Sequence, residues 1–242
     1  MAATETAGVV VPGDEFLKEL EEIRAEVSEG RPLRQRSIPK TKEAVAASRR
    51  QGHRGGGDAL NMERERYLSC PVPEVRRKQL RKAIDEAGEN LFGGKWPGHT
   101  TLDYWTSNEF GITDEEIQQL AKEDPSPESI ITGGFMASLL REEPWPFGIG
   151  SGLAGEGEKL NPKAREMLLR QLDETRESFM AMGIANIERA MTRDVLHADV
   201  DIEHATFNAE VIRDYCDTPE LQEGFRKAFI LRIHAIQRPS RL

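Results

Sequence analysis

The sequence predicts an all-α protein, on three observations. Apolar residues recur at three- and four-residue steps in several long stretches. Capping residues and first-turn prolines stand at the heads of those stretches. No segment shows the period-two alternation of a half-buried strand. The expected architecture is a C-terminal antiparallel helical bundle, preceded by a long, largely irregular N-terminal arm and an aromatic-rich middle of loops and short helices. The boundaries fall at residues 1–60, 61–157 and 158–242.

Taken in order, the first helical stretch is "DEFLKELEEIRAEV", with Asp14 placed to cap it and Phe16, Leu20, Ile23 and Val27 at helical spacing. Its apolar stripe is narrow and its remaining residues are charged, so it is expected to dock on the distant body or on another chain. Residues 29–60 are poor in large apolar side chains and rich in Arg, Gly, Ser and Pro. Such a composition buries too little surface to offset its ordering entropy, which predicts an extended arm.

Next comes "PVPEVRRKQLRKAIDEAGENLFGG", a helix with Pro73 in its first turn, Val75, Leu80 and Ile84 apolar, and Gly93-Gly94 as a stop. The capping box "TDEE" (Thr113 to Glu116) opens a short helix to about Lys122. Another helix is expected from Ser126 to about Leu140, weakened by Gly133-Gly134. Phe92, Trp96, Tyr104, Trp105, Phe110, Phe135, Trp145 and Phe147 lie among turn residues in this middle region. Rings on irregular backbone serve as partner or ligand anchors, or plug the end of a bundle.

The last third holds three amphipathic stretches. One starts at Asn161 and Pro162 and runs to Met191. A second spans about Asp194 to Tyr215, with a seam of Ala198, Ile202, Ala205, Ala209 and Ile212. A third opens at Thr218-Pro219 and ends before Pro239. Joined by short turns, they predict an antiparallel bundle.

The chain of 242 residues is 38% hydrophobic, low for a tightly packed globule, so part of it is expected to lie outside any core. The net charge of −9 is unevenly spread: residues 1–30 carry a net −6, residues 31–82 a net +10 and residues 83–242 a net −13. A basic arm on an acidic body suits an acidic protein surface better than nucleic acid, which the body would repel. Two isolated cysteines, Cys70 and Cys216, point to a reducing, cytoplasmic compartment. The N-terminus lacks the basic and apolar regions of a signal peptide, and no apolar run is long enough to span a membrane.

Two motifs bear on chemistry. "GSGLAG" (Gly150 to Gly155) fits the spacing G-x-G-x-x-G, but prolines precede it where a strand is needed and an acidic run follows it, so it reads as a flexible linker with no cofactor bound. "HADVDIEH" places His197, Asp201 and His204 on one side of a helix, a ligand set for a divalent metal. The pattern resembles in part the carboxylate-x-x-His pairs of helical-bundle di-iron proteins, with Asp173, Glu174 and Glu177 on the preceding helix as further carboxylates and Glu203 as an alternative ligand. No other helix carries a carboxylate-x-x-His, and the seam sets Asp201 and His204 to one side, as in a solvated stripe ending at Asn208. No nucleophile elbow is present, and neither cysteine has a neighbouring His in sequence.

Most of these features fit a non-catalytic, auxiliary helical subunit of a larger enzyme complex that wraps partner subunits with its N-terminal arm. Two other functions fit fewer of them: a metal-dependent oxygenase or hydrolase using His197, Asp201 and His204, and a nucleic-acid-binding protein using the Arg/Gly arm.

Overall fold

The computed structural model describes residues 9–28, 38–55, 59–87 and 97–237. Within them the chain is all-α: α1 Gly13–Val27, α2 Lys42–His53, α3 Ala59–Ser69, α4 Pro73–Ala87, α5 His99–Glu109, α6 Asp114–Leu120, α7 Pro127–Arg141, α8 Trp145–Gly150, α9 Leu153–Glu156, a 3-10 turn at Gly157–Leu160, α10 Pro162–Ala181, α11 Ile187–Tyr215 and α12 Pro219–Gln237. No helix among the described residues is long and apolar enough to cross a membrane.

The spine is α11, which packs against α5, α8, α9, α10, α1 and the 3-10 turn. Its seam is made of small residues, with Ala198 and Ala205 buried, which lets neighbouring backbones approach closely. The N-terminal helix docks on this body. Phe16 and Leu20 of α1 are fully buried with Phe225, Phe229 and Ile233 of α12 and Ile212 of α11, and Arg226 holds Glu19 through both carboxylate oxygens at 2.6 and 2.8 Å. A helix too narrow to stand alone is stabilised by this shared core.

Part of the expected extended arm is helical. Thr41 caps α2 by accepting from Ala44 N at 3.2 Å, and Val45 and Ala46 pack with Phe110, Ile112, Ile117 and Phe179. Its arginines meet the acidic body: Arg49 on Asp103 at 3.1 Å, Arg50 on Glu116 at 2.6 Å and Arg54 on Glu123 at 2.7 Å. The low hydrophobicity that suggested an arm is thus offset by two apolar contacts and a row of ion pairs. Residues 29–37 of that expectation lie outside the described residues, as do Phe92, Trp96 and the Gly93-Gly94 stop.

Other expectations shift in instructive ways. Asp14 lies inside the first turn of α1, and Pro12 occupies the cap position with no side-chain bond. The stretch from Asn161 to Met191 is broken at Gly183, whose φ of 71° is a left-handed conformation that glycine accepts freely. Ile184 N then donates to Phe179 O at 3.2 Å, and Asn186 caps α11 by accepting from Arg189 N at 3.0 Å, so α11 starts at Ile187 and not at Asp194. The aromatic-rich middle is mostly helical. Phe147 of α8 lies edge-on to Phe225 with centroids 5.5 Å apart, and Trp145 lies edge-on to Tyr215 at 4.9 Å; these rings fill the core.

"GSGLAG" is no flexible linker. It joins α8 to α9 through buried backbone, and its glycines allow that segment to lie against α11. A Cβ at Gly150 would come within 2.2 Å of Ile212 Cδ1, and one at Gly152 within 2.3 Å of Asn208 Nδ2.

Candidate functional site

On α11, His197, Asp201, His204 and Asn208 follow one another at helical steps of four, three and four, so they share one face. The expected solvated stripe is instead turned inward: Asp201 is 4%, His204 5% and Asn208 1% exposed. The alanine seam does not mark the only buried side, because α11 is enclosed by α5 as well as by α8, α9 and the 3-10 turn.

The segment after α8 completes the group. Glu156, the last residue of α9, faces Asp201 and His204, and one ligand atom from each of the three lies within 4.8 Å of the others. Asn208 Nδ2 donates to Glu156 Oε2 at 2.9 Å, an approach that only a glycine at position 152 permits. With its Nδ2 turned to that carboxylate, the Oδ1 of Asn208 is buried with no hydrogen-bond partner among the described residues. Two ammonium groups enclose the carboxylates. Lys82 of α4, 3% exposed, contacts both oxygens of Glu156 at 3.3 and 3.4 Å. Lys159 of the 3-10 turn donates to Asp201 Oδ2 and to the backbone oxygen of His197, the latter at 3.2 Å. The turn itself is fixed from behind by Arg24, which donates to Leu153 O at 3.0 Å and lies so near Gly157 that a Cβ there would meet its guanidinium at 2.4 Å.

His197 stands at the open edge of the group. Its Nδ1 donates to Asp201 Oδ1 at 3.0 Å, and its Nε2 faces Nε2 of His99 at the start of α5. With Nδ1 donating to Asp201, this contact needs one ring nitrogen to donate and the other to accept. Burial alone would raise the Asp201 pKa. The hydrogen bond from His197 and the charges of His197 and Lys159 outweigh burial and hold the carboxyl well below the usual carboxylate range.

Of the predicted ligands, Asp201 and His204 therefore converge, while His197 turns to Asp201 and His99. Glu203 is exposed, as are Asp173, Glu174 and Glu177 on α10. Glu156, Lys82, Lys159 and His99 were not singled out in the sequence. Glu156 sat in the acidic run after "GSGLAG", and only the helical course of that segment shows where it points.

No protein-family model matches the chain, and no curated protein matches it. Among solved structures it is similar to a TenA homolog from Pseudomonas syringae pv. tomato str. DC3000, with a TM-score of 0.60 and 14% identity, covering 98% of this chain and 96% of that one. At that identity the likeness shows the fold alone, an all-α arrangement shared with that structure.

The same finding corrects the expected function. A non-catalytic subunit wrapping its partners through a free arm does not fit a chain of which 98% corresponds to a single all-α solved structure. The physical reason is visible in α1 and α2, whose apolar residues are spent on the chain's own core.

Proposed function

We propose that this protein is an enzyme whose catalytic centre is a divalent transition-metal site formed by Glu156, Asp201 and His204 inside the helical bundle. The observation that carries the proposal is the convergence of one imidazole and two carboxylates, their ligand atoms all within 4.8 Å, at a largely buried position. A mixed nitrogen and oxygen set suits manganese, iron, cobalt or zinc better than calcium or magnesium, which prefer oxygen ligands alone.

The donor set fits such an ion in two further respects. The buried, unpartnered Oδ1 of Asn208 adds a neutral oxygen beside Glu156. The imidazole of His197 orients Asp201, as outer partners of metal-bound carboxylates commonly do. A bound cation would supply Lewis-acid or redox chemistry. Around it, Asp201 stays ionised, His197 and His99 form a route for a proton at the open edge, and Lys82 and Lys159 supply positive charge. The part-exposed side chains of His197, Glu156 and Lys159 mark the side from which a small molecule can reach the site.

Metal analysis of protein purified without chelators tests the proposal, against Asp201→Asn and His204→Ala variants checked for helicity by circular dichroism. Stoichiometric transition metal in the wild type and its loss in both folded variants is the expected result. Sub-stoichiometric metal in all three would refute it. A second reading is favoured by the continuous contacts Lys159 to Asp201 to His197 to His99: a metal-free acid–base site. Metal-free wild-type protein would leave that reading standing.

A further inference from the structure

The two carboxylates of the centre are already matched by two ammonium groups without any ion. Glu156 and Asp201 bring two negative charges, and Lys82 and Lys159 bring two positive ones in contact with them. A divalent cation taken up by Glu156, Asp201 and His204 draws on the same two carboxylates. It would leave both ammonium groups, of which Lys82 is almost wholly buried, to share those two negative charges with two added positive ones. Uncompensated buried charge is strongly unfavourable, so metal binding alone is opposed by the site's own lysines. An anion entering with the metal removes the conflict, because it can accept from the two ammonium groups while sitting next to the cation.

We infer that the centre takes its substrate as a small carboxylate, held by Lys82 and Lys159 at the metal, and that carboxylate and metal bind cooperatively. This rests on the metal reading above. The placement of the lysines supports it: they come from two different elements, α4 and the 3-10 turn, and flank the two carboxylates.

The test uses cobalt(II), followed by its visible absorption, with acetate as the carboxylate probe and perchlorate to match ionic strength. In the wild type, saturating acetate should tighten cobalt binding about tenfold and alter the cobalt spectrum, a coupling within the ordinary range for linked sites. Lys82→Gln and Lys159→Gln should each tighten cobalt without acetate and cut the acetate effect to less than about twofold, since the stranded charge is gone. Lys159→Arg, which keeps the charge, should retain it. Cobalt that binds the wild type equally well with and without acetate would overturn the carboxylate inference and leave the metal centre intact. Coupling that persists in both glutamine variants would also overturn it. Wild-type protein that binds no cobalt under any condition would overturn both.

Discussion

Asn208 of α11 donates to Glu156 of α9 at 2.9 Å, and this bond ties the segment after α8 to the face of α11 that carries Asp201 and His204. The bond depends on Gly152. A Cβ there would meet Asn208 Nδ2 at 2.3 Å and has Glu156 Oε2 at 3.3 Å, so the side chain holding Glu156 must move if the position is filled.

Gly152→Ala should therefore cost stability and metal together. Overpacking of this kind destabilises by about 1–3 kcal/mol, read by urea unfolding. The metal content of the folded variant should fall as well, because Glu156 loses its tether. A variant with wild-type stability and full metal would show that α9 can shift without consequence.

The N-terminal helix belongs to the body. Phe16 is fully buried, edge-on to Phe225 with centroids 6.4 Å apart, and Arg226 lies over its ring. Phe16→Ala should cost about 3–5 kcal/mol in chemical unfolding, as buried aromatics do. A free wrapping helix would instead tolerate the change, with a loss within experimental error.

What the sequence revealed and what it hid follow from the range of each signal. Caps and periodicity are local, so Thr113, Ser126, Asn161 and Thr218 all mark helix starts that the structure bears out. Gly183 carries no clear stop signal, because one glycine in an apolar-periodic run costs a helix only about 1 kcal/mol. His197, Asp201 and His204 were legible as one helical face, but which side of α11 is buried depends on α5, α9 and the 3-10 turn, which are distant in sequence. Glu156, Lys82 and Lys159 carry no local mark at all: each is one charged residue among many until the fold brings it to Asp201 or Glu156.

A second buried charged group lies at the α3 to α4 turn-back. Glu63 accepts from Arg66 and from Gln79, and Arg66 Nε donates to Gly148 O at 3.0 Å; all three side chains are buried. Removing one partner leaves a guanidinium without its counter-charge, so Glu63→Ala should destabilise by about 3–5 kcal/mol. Replacing the pair together, as Glu63→Leu with Arg66→Met, should recover most of that loss, because well-packed apolar residues often match a buried ion pair. Urea unfolding of the single and double variants checks both statements. A double variant no better than the single would mean that the bond to Gly148 O, and not the ion pair, holds α3 in place.

Acid should act on the centre through Asp201. Its carboxyl is held below its ordinary value by His197 and Lys159 despite burial, so the folded state binds its proton less readily than the unfolded chain does. The stabilisation is complete above the unfolded-state pKa of about 3.9 and is lost as the pH falls through the folded-state value. Asp201→Asn keeps the shape, removes the charge and cannot titrate. At pH 7 the variant should be the less stable of the two, since Lys159 loses its partner. As the pH is lowered from about 5 toward 2, the wild type should lose stability faster than the variant and the gap between them should close. Unfolding free energies from urea titrations at several pH values measure the gap directly, since titrations common to both proteins cancel in the difference. A gap that stays constant down to the acid limit would mean that the Asp201 carboxyl is not held ionised by its neighbours.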